Sequence, residues 1–576
     1  MTDISLGISR TPLGLAIDAA MIELERGESA WALTGLHDRR GVLADIRELV
    51  RVHADEWVTI AATIKELDPQ SPLVGEEWLS GPYPLLTNAD ALAESLAALE
   101  RGRSPLAGSN ITAAPGNRIR IQILPDSVTD NILLNGFTAE VWLQPGIDKV
   151  RALAAAGLGQ LHPEKTAGIG VVLGAGNITS IAPLDVLYEI YAHNRVVALK
   201  LSPVMDPLLP VLEKIFAPLI ERNIVRIFTG GAEVGEYLVN HDLVAHVHMT
   251  GSAATHDAIV FGAEDQGTQR KVENSPLLDK PITSELGGVS PTIVFPGKWS
   301  SADLRYQAEH VATQRLHNGG YNCVAAQILV VSSTWTQKDQ FLREVREALD
   351  RAPTRAAYYP GSDGRLLSAL KQFPDAQTVG RKNERVICSG LRRGEDHPIF
   401  HEEYFAPVLG IIELPFSGVE FAREAVEFAN SECAGTLGVN IIAHPATIRS
   451  YGQAFDSAVA NLRYGTIAVN TWTGFGYLTA KAPWGSFPGH TLADVQSGIG
   501  VVHNSLLIGH TERTVVRGPF RPAPRSVLAG EFSLSPRPPW FVTNTAAATT
   551  ARKLTEYVGS PSLRKMLGIF LSSLRG

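Results

Sequence analysis

Four β-like runs recur at intervals of 20 to 29 residues in the first half of the chain: IGVVL at 169–173, RVVAL at 195–199, IVRIF at 224–228 and VAHVH at 244–248. Helix-compatible stretches, PLDVLYEIYAH and PLLPVLEKIFAPLIER, lie between them. Strands that alternate with helices are joined by right-handed crossovers and build a mostly parallel sheet with helices on both faces. Such a sheet binds ligands in the crevice beyond its strand C-termini. A chain of 576 residues also exceeds what one hydrophobic core serves, so more than one domain is expected.

A second α/β stretch runs from about 282 to 470 and ends where TWTGFGYLTAKAPWGSFPGH breaks the periodicity. Upstream, residues 40–100 carry apolar side chains at helical spacing, for instance Val42, Ile46 and Val50. RIRIQIL and FTAEVWLQPG then alternate like two strands around the turn residues PDSVTDN, a hairpin suited to subunit contacts. Past Arg513 the prolines predict an extended start and a short terminal helix near Leu563 to Leu574. The expected fold class is α/β, with two doubly wound parallel-sheet domains and a small β bridging or oligomerisation element. The divisions are 1–116 with 145–282, 283–475, 117–144 with 476–512, and an extension over 513–576.

The formal charge of −8 gives no reason to approach nucleic acid, whose phosphates need a basic surface. MTDISLGISRTPLG has no basic run followed by an apolar stretch and reads as no secretory signal. The segment 168–184 is broken by glycines and polar residues and is too short to span a bilayer. Three cysteines, Cys323, Cys388 and Cys433, are sparse and lack metal-ligand spacing. No metal site is expected, and a reducing cytoplasm fits best.

IGVVL ends in Gly174-Ala-Gly176-Asn177, the opening of a dinucleotide fingerprint whose third glycine is replaced by Thr179. On its own that turn is as readily a tight connection as a phosphate cradle. A lone cysteine in an apolar stretch is more often a small buried hydrophobe than a nucleophile.

The order of the blocks changes both readings. GAGNITSIAP with Lys200, TGGAEVG, MTGS, ITSELGGVSP, HNGGYNC and HEEYFAPV succeed one another as in the aldehyde dehydrogenase superfamily, over roughly residues 40 to 505. The chain resembles that family, and the resemblance implies a role for each block. Cys323 would be the nucleophile that forms a thioester. Asn177 would donate to the oxyanion together with the backbone N–H of Cys323, and Glu285 would be the general base for hydrolysis. NAD or NADP would contact Gly174, Lys200, Gly231, Gly235, Thr250, Gly251, Ser252, Leu286, Glu403 and Phe405. The partner would be a small-molecule aldehyde, and the assembly a homodimer or homotetramer.

Three departures stand out: Tyr321-Asn322 in place of the family's Gln-x before the cysteine, His256 in place of a glycine, and Pro203 in place of an acid common in NAD-preferring members. The last of these leaves NADP admissible. A CoA-acylating enzyme and a non-catalytic binding protein on the same scaffold remain as alternatives. The terminal run LRKMLGIFLSSLRG is read as packing on the body or on a subunit, with peripheral membrane contact as the less favoured alternative.

Overall fold

The computed structural model describes residues 11–165 and 168–576. The leader reading of the first ten residues therefore lies outside the described residues. Two sheets dominate the rest. The smaller runs in the order 498–499, 282–286, 244–251, 169–173, 196–200, 225–228. Its last five strands are parallel, and residues 498–499 pair antiparallel with 284–285. All four strands expected from the 20 to 29 residue rhythm are in it. The chain enters at Ile169–Leu173, builds outward to Val225–Phe228, then returns to the other side with Val244–Gly251. That reversal is the switch point at which a parallel sheet leaves an open crevice.

The helices over 36–64, 74–80 and 82–100 and an N-terminal helix, Pro12–Leu33, share the cores around this sheet. The last of these brings Ile17, Met21, Leu24 and Trp31 into the packing. Helical spacing is evident in the sequence only from residue 40, so this helix is an addition.

The larger sheet has eleven strands. Seven central ones, 511–517, 466–469, 438–442, 292–294, 328–332, 408–414 and 385–391, are parallel. The expected hairpin forms as Arg118–Leu124 and Thr138–Leu143. Thr138–Leu143 pairs antiparallel with Thr511–Arg517, so the hairpin is the margin of the large sheet. The alternation in RIRIQIL has a one-sided burial, which is what places Ile121, Ile123, Val141 and Leu143 in a core.

Beyond this sheet the chain wraps back. Helix Ala547–Gly559 packs on Val74–Ser80 and on the terminal helix Leu563–Ser573. The first contact is close enough that a Cβ at Gly75 would collide with the Ala547 backbone. The terminal helix docks with an unexpected face: Ile569, Ser572 and Ser573 are buried while Leu563, Leu567, Leu571 and Leu574 are exposed.

Candidate active site

The C-terminal edge of the small sheet gathers the predicted residues because parallel register aligns its strand ends. Leu173 is level with Lys200 and Met249, and Thr250 with Glu285. Gly174 leaves the first strand, its N–H donating to the Lys200 carbonyl at 2.9 Å. Strand Ile282–Leu286 then delivers Glu285 and Leu286, and Gly287-Gly288 carries the chain to the large sheet. Cys323 comes from the opposite side. It lies after helix Ser301–Leu316 and a tight turn at His317–Gly320, ahead of strand Ile328–Ser332. The site lies where the two sheets meet.

Glu285 is 3% exposed and accepts the Trp484 indole N–H at 2.9 Å. Its carboxyl also meets the Cys323 thiol. Burial pushes its pKa up to about 7, against the pull of the Trp484 and Cys323 hydrogen bonds. The Cys323 thiol is held well above its ordinary value, by burial first and by the Glu285 charge next. At rest, then, the thiol keeps its proton and shares it with the base beside it. Cys388 and Cys433 are buried, whereas Cys323 retains some exposure.

Asn177 reaches across to the same loop, its amide N–H donating to the Tyr321 carbonyl at 2.9 Å. One of its two N–H groups is thereby engaged. The turn before Cys323 is held from below. Asn318, in the left-handed region at φ 54°, donates from its side chain to the carbonyls of Asn177 and Tyr321, each at 3.1 Å. Its own backbone N–H is accepted by Glu76 at 3.0 Å, and Glu76 is paired with Arg355 at 2.6 Å. Arg315, buried beneath, donates to the Gly320 carbonyl at 2.7 Å.

The remaining predicted residues test whether a dinucleotide fits. Glu403 stands over Gly287, where any Cβ would overlap its carboxylate, and its Oε1 is buried without a partner. Burial, then the Glu285 charge, push its pKa up to about 8. A carboxyl held this way is poised for a ligand hydroxyl. Phe405 beside it has φ 44° and packs on Tyr359 at 4.8 Å. Strain of that kind on an aromatic residue clusters at ligand sites.

At the other end, Lys200 is 7% exposed and its pKa is lowered by burial despite the Asp206 and Glu233 carboxylates. Gly231 precedes helix Ala232–Asn240 as its N-cap, with its N–H taken by Glu233 at 3.1 Å, and Gly235 lies on that helix beside Leu173. Gly251 ends its strand, and Ser252 caps helix Ala253–Phe261 by accepting the Thr255 N–H at 3.2 Å. The Thr250 hydroxyl donates to buried Asp185 at 3.1 Å. The crevice, the orphaned carboxylate and the basic side chain fit a nicotinamide dinucleotide.

Sequence reasoning missed Trp484, Asp206 and Asn318. Trp484 sits in an Ala-Pro-Trp-Gly block whose aromatic and proline residues signal only an interruption of periodicity. Asp206 lies three residues past Pro203 in the 3-10 turn Pro203–Leu208, its pKa raised by burial, and it returns a carboxylate to the Lys200 end. Among the described residues no group of His, Cys, Asp and Glu is placed to hold a metal.

Comparison with known proteins bears on this geometry. Residues 181–363 match the model of the aldehyde dehydrogenase family. The chain is 25% identical over 445 residues to 3,6-anhydro-alpha-L-galactose dehydrogenase of Streptomyces coelicolor, covering 73% of this chain and 75% of that protein. It is 24% identical over 274 residues to D-glyceraldehyde dehydrogenase (NADP(+)) of Picrophilus torridus, 44% of this chain and 50% of that one. In fold it is similar to indole-3-acetaldehyde dehydrogenase in complex with NAD+ (TM-score 0.57, 19% identity, 89% of each chain). It is also similar to the NADP-dependent glyceraldehyde-3-phosphate dehydrogenase of Bacillus halodurans with NADP (TM-score 0.58, 16% identity, 87% and 90% covered).

Proposed function

We propose, from the match of residues 181–363 to the aldehyde dehydrogenase family model and the likeness to the relatives above, that this chain is an aldehyde dehydrogenase that oxidises an aldehyde to a carboxylic acid through a thioester on Cys323, using NAD or NADP. The observation that carries the reading is the Glu285 carboxyl held between the Trp484 indole and the Cys323 thiol.

In the first step Glu285 takes the thiol proton, and the thiolate attacks the aldehyde carbonyl. The oxyanion that forms needs donors fixed beforehand, and the second N–H of Asn177 with the backbone N–H of Cys323 would supply them. Asn318 and Glu76 keep that amide and the cysteine turn in register. A bound nicotinamide dinucleotide supplies the hydride acceptor, with Glu403 and Phe405 at its nicotinamide end and Lys200 at its adenosine end. Once the thioester exists and Glu285 has released the thiol proton to solvent, its carboxylate takes a proton from water as that water attacks the acyl carbon; the C–S bond breaks, the acid leaves, and Glu285 returns the proton to the Cys323 thiolate. Trp484 fixes the carboxylate for both proton transfers.

The test is transient kinetics with NAD and NADP. Cys323→Ala should abolish aldehyde oxidation while cofactor binding persists, because the cofactor contacts lie on other segments. Glu285→Gln should still yield about one equivalent of reduced cofactor, more slowly, and then stall, with steady turnover lowered by about 10² to 10⁴-fold. An equal fall in burst and steady rates would confine Glu285 to thiol activation. Restoration of that steady rate by CoA, with an acyl-CoA product, would favour CoA over water as acceptor.

A further inference from the structure

The proposed mechanism asks Glu285 to shed one proton while the cleft is filled, yet its carboxyl is buried. The sheet face on which it stands is polar where a parallel sheet is ordinarily apolar. Thr250 is level with Glu285, and His248 with Thr283, across the paired strands. By the two-residue period of a strand, His246, His248, Thr250, Thr283 and Glu285 therefore share one face. Helix Ile181–His193 covers that face with Asp185, Glu189 and His193, one every four residues. The two rows meet rung by rung, because four helical residues rise about 6 Å and two strand residues about 6.6 Å.

At the inner rung, His248 Nε2 lies 3.5 Å and His503 Nε2 3.3 Å from the Asp185 carboxylate. Asp185 also accepts from the Thr250 hydroxyl at 3.1 Å, and His248 Nδ1 meets the Thr283 hydroxyl at 2.9 Å. At the next rung Glu189 stands 3.6 Å from His246 and pairs with Arg195 at 2.7 Å. Asp185, Glu189, His246, His248 and His503 are buried, whereas His193 and Arg195, at the strand N-terminal edge of the sheet, are partly exposed.

A purely structural ion pair would close on itself. Here Asp185 Oδ1, His246 Nδ1 and both ring nitrogens of His503 are buried without an aligned hydrogen-bond partner, so the file keeps sites at which a proton can be taken up. Burial pushes His246 down to about 4, which suits a group that passes a proton on without keeping it. We propose that His248, backed by Asp185, takes from Glu285 the proton drawn from Cys323, by way of the Thr283 hydroxyl, and that His246 and Glu189 pass it to His193 and solvent at the far edge of the small sheet. The proposal rests on the reading of Glu285 as the base and adds the route by which that base is restored. Each hop moves one proton and no electrons. The Glu285 O–H breaks as the Thr283 oxygen gains a proton, Thr283 gives its own to His248 Nδ1, and Glu285 is left a carboxylate ready for water.

Stopped-flow with a pH-indicator dye reads the proton, and absorbance of the reduced cofactor reads the hydride. In the parent, about one proton per site should reach solvent with the hydride of the first turnover. His248→Gln can donate and accept in place of the ring but cannot carry the proton as a charge. It should leave the first hydride within twofold, delay the proton and lower steady turnover at least tenfold, and imidazole, a small proton carrier, should restore that turnover. His193→Gln, at the partly exposed end, disturbs no buried pair and should delay the proton at least threefold; it decides the matter if His248→Gln does not fold. Parent-like proton release and turnover in both variants, with turnover still dependent on Glu285, would overturn the route alone. A loss in His248→Gln that imidazole does not restore and His193→Gln does not share would be structural and would overturn it too. Parent-like first and steady rates in Glu285→Gln would remove the base itself, and the reading beneath the route would fall.

Discussion

The proposed base is also the neighbour of the proposed nucleophile, and that makes the proposed reaction answer to pH in a definite way. In the proposed mechanism Glu285 works as the carboxylate, and burial has moved its pKa up to about 7. Steady turnover should therefore rise from about pH 6 to 8 and level off. Trp484→Phe, which removes the stabilising N–H, should shift that limb to higher pH; an unmoved profile would take the indole out of the account. Glu403 has the same property without being a base. Its folded pKa of about 8 lies above that of an unfolded carboxyl, so the stability it contributes is present at low pH and is lost as pH rises through the folded value. Glu403→Gln should raise the melting temperature of the cofactor-free protein at about pH 9 and leave it nearly unchanged at about pH 5. Asp206 tests the cofactor. Removing one carboxylate near a 2′-phosphate is worth on the order of 1 kcal/mol, so Asp206→Ser should raise the NADP to NAD ratio of kcat/KM about fivefold. Cys323, Asn177 and Glu285 could be picked out in the sequence because each sits in a short block with its glycines. Trp484 and Asp206 could not, since each matters through a neighbour distant in sequence or through a turn that periodicity does not describe.

Among the elements, the parallel strands of the small sheet were legible because burial on both faces selects continuous Val, Ile and Leu runs. What could not be read is the polar core behind the nucleophile turn. Lys65, Glu76 and Glu77 have the spacing of a solvated helical face, yet Lys65 and Glu77 pair at 2.9 Å with both side chains fully buried. Arg355, from a loop, completes the group on Glu76. Breaking such a pair leaves a buried charge unmatched, so Arg355→Met should cost about 3–5 kcal/mol in denaturant unfolding. It should also slow the burst, as Asn318 loses its anchor. The terminal helix departs from its sequence in the opposite sense. Its leucine spacing suggests a packed apolar stripe, but serines and Ile569 face inward and the leucines outward. Ile569→Ala should cost about 2–5 kcal/mol, whereas Leu567→Ser and Leu571→Ser should each stay within about 0.5 kcal/mol.

For the molecule as a whole, the existence of two parallel sheets is implied by strand rhythm, while their membership is not. Register between distant segments is set by which faces are buried, and nothing local in TAEVWL states that its partner is TERTVVR. Among the described residues no helix is long and apolar enough to cross a membrane. The pairing of residues 138–143 with 511–517 has a consequence in the order of synthesis. A ribosome adding about 5–20 residues per second reaches the second segment on the order of tens of seconds after the first. For that interval the hairpin presents an unpaired edge, and edges of that kind recruit other chains. Nascent chains halted before residue 511 should therefore aggregate or be held by chaperones, and chains extended through 517 should be released. The last strand to be made is the one that makes the first hairpin safe.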